Sequence, residues 1–207
     1  MNAARGEHWQ RVYREKSETQ TSWFRPHLDE SLRRIDGLGL APDDAVIDVG
    51  GGRSSLVDDL LARGLRDVTV LDLAEGALDA ARARLGADAA RVHWIAADVT
   101  RAQLPPAHYA LWHDRAVFHF LTDAAERARY VAQTARALRP GGHAVIATFA
   151  PDGPERCSGL PVARYDADAL AAEFAPVFVH VDHGRELHRT PWDAEQAFTY
   201  VVLRRVP

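Results

Sequence analysis

A single cysteine, Cys157, stands among the 207 residues, so no intrachain disulfide can form, which fits a reducing compartment. Lysine is equally scarce: Lys16 is the sole one among 25 basic residues, an arginine bias read as genomic composition rather than function. No apolar run approaches the roughly 18 residues that cross a bilayer, and the stretch from Met1 to Gln10 lacks the apolar centre of a signal peptide. Internal repeats and low-complexity linkers are missing as well. The net charge of −4 gives no electrostatic reason to expect nucleic acid, whose phosphates call for basic patches. Paired-cysteine metal spacing is absent, and His180, His183 and His188 are spread over an expected strand end and loop, so no metal is expected. What remains is a cytoplasmic chain expected to act as a monomer or homodimer, away from membranes. A length of 207 and a 47% hydrophobic fraction fit one domain with a sizeable core.

From Ala45 onward, strand and helix patterns alternate, which predicts a parallel sheet with crossover helices. The predicted strands are Ala45–Val49, Val68–Leu73, Val92–Ala96, Tyr109–His113, His143–Phe149, Val177–Val181 and Ala197–Leu203. Helices are predicted over Ser54–Arg63, with Gly64 as stop, and over Glu75–Leu85, ended by Gly86. A long helix follows Asp123, where Asp123 and Glu126 have capping-box spacing, and another covers Asp166–Phe174. Arg139-Pro140-Gly141-Gly142 predicts a sharp turn into the fifth strand. Residues 1–44 differ. Trp9, Val12 and Tyr13 share one helical face, and Leu28, Leu32 and Ile35 share another, after Pro26 at an expected helix start. This helical extension either packs on the sheet or lies over a ligand, with Ser22-Trp23-Phe24-Arg25 between its two helices.

The run Val46-Ile47-Asp48-Val49-Gly50-Gly51-Gly52 ends a strand in an acid and three glycines. Glycines there let the backbone approach a ligand closely, and the following helix start offers free N–H groups. A dinucleotide site would want a third glycine where Ser55 stands, and its pyrophosphate would be poorly served by Asp48. A carboxylate suits an ammonium instead, and S-adenosylmethionine carries both an ammonium and a sulfonium. Asp72, with Leu73 beside it, ends the second strand and is placed to accept from ribose hydroxyls. Asp98-Val99 follows the third strand, where the carboxylate can accept from the adenine amine and the next N–H can reach a ring nitrogen; Asp98 as a simple turn cap is the plainer alternative. Three acids at the carboxyl ends of three successive strands fit the edge where open α/β sheets bind ligands.

On Asp48-Val49-Gly50-Gly51-Gly52, Asp72, Asp98-Val99 and Leu138-Arg139-Pro140-Gly141-Gly142, the chain from about Ala45 to Leu203 resembles the class I S-adenosylmethionine-dependent methyltransferases. The resemblance implies a Rossmann-like, doubly wound seven-stranded sheet whose last strand is antiparallel. Many relatives carry a bulkier residue where Gly51 stands, a departure expected to leave the loop unharmed. The Asp114-Arg115-Ala116 turn is similar to one in thiopurine methyltransferase-like enzymes, and a related turn occurs in some protein-lysine methyltransferases.

That resemblance places the end of the fourth strand, His113-Asp114-Arg115, beside the transferring methyl group. His113 is the candidate base or substrate contact, because its ordinary pKa of roughly 6.5 suits neutral-pH proton transfer; a satisfied core histidine is the plainer reading for it and for His119. Asp114 is the second candidate catalytic group, or else a helix cap or partner of Arg115. Trp23, Arg115 and Cys157 are candidate substrate contacts. Cys157 lies in the turn-rich stretch Ala150–Pro161, an expected wall of the acceptor site, where a thiolate would favour a soft acceptor. The expectation is methyl transfer to a small molecule, a thiol or other soft nucleophile among the options, with a protein-lysine methyltransferase or a non-catalytic cofactor-binding module as alternatives.

Overall fold

The computed structural model describes residues 2–207; Met1, the first residue of the stretch judged for a signal peptide and of the helical extension, lies outside them. Strand β1 (Val46–Val49) is buried at every position, as an apolar run needs when both neighbours and both faces are covered. It pairs in parallel with β2 (Val68–Asp72) and with β4 (Tyr109–Arg115). Outside these lie β3 (Val92–Ala96), parallel to β2, and β5 (Leu138–Phe149), parallel to β4. A small hairpin, β6 (Arg156–Cys157) with β7 (Leu160–Pro161), stands apart from the sheet. The long hairpin β8 (Phe178–Arg189) and β9 (Glu195–Arg205) completes the order β3-β2-β1-β4-β5-β9-β8, with β9 antiparallel to both neighbours. The expected seven-stranded, doubly wound sheet with an antiparallel last strand is therefore present.

Helices α1 (Asn2–Glu15), α2 (Asp29–Asp36), α3 (Leu56–Ala62), α4 (Glu75–Leu85), α5 (Ala124–Ala137) and α6 (Ala167–Phe174) flank the sheet. One core cluster gathers Leu32, Ile35, Leu56, Leu60 and Leu111; the other, on the opposite face, gathers Ile47, Trp112, Tyr130, Leu170 and Phe174. Each such fully buried aliphatic side chain contributes about 1.5–3 kcal/mol. No helix among the described residues is long and apolar enough to cross a membrane.

Several local expectations shift. Asp123 Oδ1 does accept from the Glu126 N–H at 3.0 Å, but the Glu126 carboxylate is engaged by Arg5 of α1 at 3.1 Å. The capping residue is thus also an anchor for the N-terminal extension. Helix α2 starts at Asp29, three residues after Pro26. Strand β5 begins at Leu138, so the Arg139–Gly142 turn is an irregularity within a strand, with Gly141 at φ 76°. Strand β8 runs to Arg189 instead of ending at Val181, so His180, His183 and His188 all lie on it. Its exposed positions mix apolar Val179, Val181 and Leu187 with polar and charged residues, which hid the alternation. Within Ala150–Pro161, Ser158 and Gly159 have φ of 48° and 80°, the pair of positive values that a type I′ hairpin turn requires.

Candidate active site

The carboxyl ends of β1, β2, β3 and β4 open onto one edge, at the point where the strand order reverses, and a cleft of about 940 Å³ lies there. A smaller one of about 570 Å³ adjoins it and shares Tyr13, Trp23, Val49, Gly50 and Arg115 as walls.

The glycine turn is shaped by crowding. Gly50 and Gly52 have φ of 70° and 44°, which side-chain-bearing residues rarely adopt. Gly51 has an ordinary φ, yet a Cβ there would stand 2.5 Å from Asp48 Oδ2 and 2.7 Å from Val70 Cγ1. Asp48 is turned under the loop and occupies the space, so glycine fits here where the bulkier residue of many relatives would not. Gly52 lies under Tyr13 and Asp72, where a Cβ would stand 2.7 Å from the Tyr13 hydroxyl.

Asp48 is 2% exposed. Its Oδ1 meets His113 Nδ1 at 2.7 Å, and His113 Nε2 meets Ser31 Oγ at 2.9 Å. Both ring nitrogens of His113 are thereby engaged. Asp48 Oδ2 is buried without a hydrogen-bond partner. Asp72 Oδ1 accepts from the Ala74 N–H at 2.8 Å. Burial pushes the Asp72 carboxyl up to about 7, with Asp48 adding to the rise and the amides of Ala74, Leu73 and Gly52 opposing it. Asp98 Oδ1 accepts from both the N–H and the hydroxyl of Thr100 at 2.9 Å, so Asp98 is a turn cap and also a wall of the larger cleft. Leu73 and Val99 line the same cleft, while Asp48, Gly51 and His113 line the smaller one.

The end of β4 divides its two charged residues. Asp114 lines neither cleft: its carboxylate accepts from Val117 N and Phe118 N at 2.8 and 3.0 Å and from the Tyr130 hydroxyl at 2.5 Å. Burial pushes this carboxyl up to about 6, against those hydrogen bonds. The intervening Ala116 has φ of 73°, a strained value for alanine costing about 1–3 kcal/mol, and the grip of Asp114 on the next two amides holds that turn. Arg115 lines both clefts. Its Nε donates to the Tyr200 hydroxyl at 3.1 Å, it approaches Glu186 at 3.4 Å, and it stacks over the Phe198 ring at 4.3 Å. Burial raises the Glu186 carboxyl, but Arg115, Tyr200 and Arg25 together outweigh it and hold the group below its usual value.

The far end of the larger cleft is walled by Trp9, Trp23, Phe120, Phe149 and Phe198, with Cys157, Gln196 and Arg115 as its polar side chains. Trp9 packs edge-on against Trp23 and Phe120, so α1 lies over the cleft. Burial pushes the Cys157 thiol up to about 11, so it stands as a thiol at neutral pH. His119 is buried, pushed down to about 3 by desolvation and the nearby Arg115, and lines neither cleft.

Residues 46–142 match the family model of a methyltransferase domain. That stretch is just under half of the chain, and the sheet around it has the fold of the class I S-adenosylmethionine-dependent methyltransferases. A mouse (Mus musculus) eEF1A lysine and N-terminal methyltransferase is 23% identical over 150 residues, 70% of this chain and 21% of its own length. The chain therefore spans about a fifth of that relative. A malonyl-(acyl-carrier protein) O-methyltransferase of Serratia marcescens is 32% identical over 118 residues, 56% of this chain and 43% of its own length. The Burkholderia thailandensis 1,6-didemethyltoxoflavin-N1-methyltransferase, solved with 1,6-didemethyltoxoflavin and S-adenosylhomocysteine bound, superposes with a TM-score of 0.71 at 23% identity, covering 99% of this chain and 85% of that one.

S-adenosylmethionine is the cofactor of this methyltransferase domain, and the residues present fit it. The unpartnered Asp48 Oδ2 offers an acceptor beside a turn free of side chains, and Arg25 and Arg53, both walls of the smaller cleft, each keep a buried Nε without a partner. An ammonium and a carboxylate on one carbon match that pairing of an acid with two cations. Among the described residues no group of three His, Cys, Asp or Glu side chains could hold a metal.

Sequence reasoning missed Ser31, Arg25, Glu186, Tyr200, Phe149 and Phe198. Ser31 had a signal: it is a polar residue on the apolar stripe of Leu28, Leu32 and Ile35. Glu186 had none, since the strand carrying it read as loop.

Proposed function

We propose that this chain transfers the methyl group of S-adenosylmethionine to a small-molecule acceptor held at the aromatic end of the larger cleft. The observation that carries the reading is that one roofed cleft joins Asp72 and Asp98 at one end to the ring-lined chamber at the other. A ring-lined chamber with α1 lying over it suits a small compound better than a folded protein surface.

In this reading Asp72 accepts from the ribose hydroxyls, with Leu73 packing beside it. Asp98 and the Val99 amide meet adenine. Asp48 and the backbone of Gly50, Gly51 and Gly52 hold the amino-acid end. When bound, the cofactor supplies an electrophilic methyl carbon on a sulfonium sulfur. The acceptor's lone pair forms the new bond to that carbon while the carbon–sulfur bond breaks and its electron pair stays on sulfur, leaving S-adenosylhomocysteine. The chain's part is alignment and exclusion of water. His113 acts as a positioning residue, because its two nitrogens are spent on Asp48 and Ser31; Asp114 positions the turn that carries Arg115. Trp23, Arg115 and Cys157 contact the acceptor, and the neutral Cys157 thiol does so as a weak hydrogen-bonding, polarisable wall that leaves thiols and other soft nucleophiles among the acceptors.

A protein-lysine reading has the mouse relative in its favour. The Arg115 guanidinium at the acceptor end counts against it, since it repels a lysine ammonium. A panel of thiols, amines, carboxylates and phenols, scored by S-adenosylhomocysteine release, tests the proposal. Turnover of at least one compound is expected; mass shifts confined to proteins in a lysate would favour the lysine reading.

A further inference from the structure

The acceptor chamber has an unusual balance. Its walls are five aromatic rings, Trp9, Trp23, Phe120, Phe149 and Phe198, and a single charged side chain, Arg115, reaches it from the sheet. Flat rings stacked or set edge-on against such walls gain about 0.5–1.5 kcal/mol per pair beyond simple burial.

The charge around Arg115 does not cancel. Its partner Glu186 is shared with Arg25 at 3.0 Å and with the Tyr200 hydroxyl at 2.9 Å, and the Arg115 contact to it is the longest of the three at 3.4 Å. Two guanidinium groups thus face one carboxylate. The other titratable groups packed around this point are neutral at pH 7: burial pushes Tyr200 up to about 12 and Cys157 up to about 11, and it pushes His119 and His188 down. Arg5, also a wall of the cleft, is balanced by Glu126. Asp72 and Asp98 belong to the opposite, cofactor end. Arg115 is engaged by the Tyr200 hydroxyl, the Trp23 carbonyl and Glu186, yet the two guanidinium groups outnumber the one carboxylate and leave a net positive charge beside the chamber that an anion would offset.

The chamber also lacks a proton acceptor. Among the described residues lining the larger cleft there is no histidine, and its only carboxylates are Asp72 and Asp98. An acceptor bound there has to arrive with its nucleophilic lone pair already free.

We propose that the acceptor is a flat aromatic anion, its ring among Trp23, Phe149 and Phe198 and its negative group on Arg115. This rests on the methyltransferase reading and names the acceptor class within it. Arg115 is suited to the task because its planar fork meets a carboxylate, phenolate or ionised heterocycle with directed hydrogen bonds and keeps its charge at all working pH.

The test is calorimetric binding of three probes, 2-naphthoate, its neutral isostere 2-naphthamide, and acetate, to the full chain with and without saturating S-adenosylhomocysteine. Naphthoate is expected to bind roughly tenfold or more tighter than naphthamide, and acetate not measurably. Arg115→Met is expected to bring the naphthoate-to-naphthamide ratio to about one. Glu186→Gln, which leaves Arg115 in place with less compensation, is expected to tighten naphthoate roughly threefold or more while naphthamide is unmoved. Equal or tighter binding of naphthamide, binding of neither aromatic, or an unchanged ratio in both variants overturns the proposal. Failure of S-adenosylhomocysteine to bind, with the naphthoate preference intact, would instead sink the methyltransferase reading and leave the anion site standing.

Discussion

His113 Nδ1 and Asp48 Oδ1 stand 2.7 Å apart in the protein interior, and the second oxygen of Asp48, a residue that lines the smaller cleft, is left without a partner. The histidine lies on β4 and the aspartate on the adjacent β1, at paired register positions. The sheet itself therefore sets the carboxylate's orientation, and Ser31 of α2 steadies the imidazole from behind.

Removal of His113 should weaken cofactor binding as well as turnover. His113→Ala leaves a buried carboxylate oxygen without its donor, a loss of about 1–3 kcal/mol. Calorimetry should show S-adenosylhomocysteine binding weakened about tenfold, and Ser31→Ala should show a smaller shift in the same direction. Full cofactor affinity in His113→Ala with turnover abolished would make His113 a proton-transfer group after all.

Asp72 predicts an unusual pH dependence. Its carboxyl stands at about 7 in the folded chain, above the ordinary aspartate value, chiefly because of burial. The folded state consequently binds more protons than the unfolded state between about pH 4 and 7, so stability falls as pH rises through that window. Thermal unfolding of the ligand-free chain should show a higher melting temperature at pH 5.5 than at pH 7.5. Asp72→Asn should flatten the slope, with a residue left by Asp114, itself at about 6. Cofactor affinity should run the opposite way and drop below pH 7, as the ribose acceptor takes up a proton. A melting temperature that rises with pH across this range would contradict the assignment.

Gly51→Ala should be harmful despite its ordinary backbone angle. The new methyl would press on Asp48 Oδ2 and Val70, and overpacking of this kind costs about 1–3 kcal/mol. Denaturant unfolding should report that loss together with weaker cofactor binding; an unchanged midpoint would mean that Asp48 swings away freely.

Asp114→Asn should damage the fold more than the cofactor site. The change weakens the bonds to Tyr130 and to the amides of Val117 and Phe118 that hold the strained Ala116 turn. A stability loss of about 1–3 kcal/mol is expected, with cofactor affinity nearly unchanged. A loss of affinity without a loss of stability would bring Asp114 back to the reacting centre.

The parallel half of the sheet was legible because β1 and β2 are apolar runs ended by acids, and strand ends place such acids on one edge. The acceptor side was less so. Strand β8 exposes polar residues along most of its length, so Glu186 and His188 read as loop, and although Arg115 was a candidate substrate contact, its partners Glu186 on β8 and Tyr200 on β9 left no trace in the sequence. Roles set by which way a side chain turns were invisible. Asp114 and Arg115 are neighbours in the chain, yet one faces Tyr130 and the other the cleft. The crowding at Gly51 likewise depends on the rotamer of Asp48, which no spacing encodes.

The central claim is that Asp48, Asp72 and Asp98 form an S-adenosylmethionine site, and calorimetric titration of S-adenosylhomocysteine into the wild-type chain and Asp72→Ala tests it most directly. The account predicts saturable one-to-one binding to the wild type and a loss of about tenfold or more in the variant, whose ribose hydroxyls lose a charged acceptor. No binding to the wild type, or equal affinity in the two proteins, would contradict it.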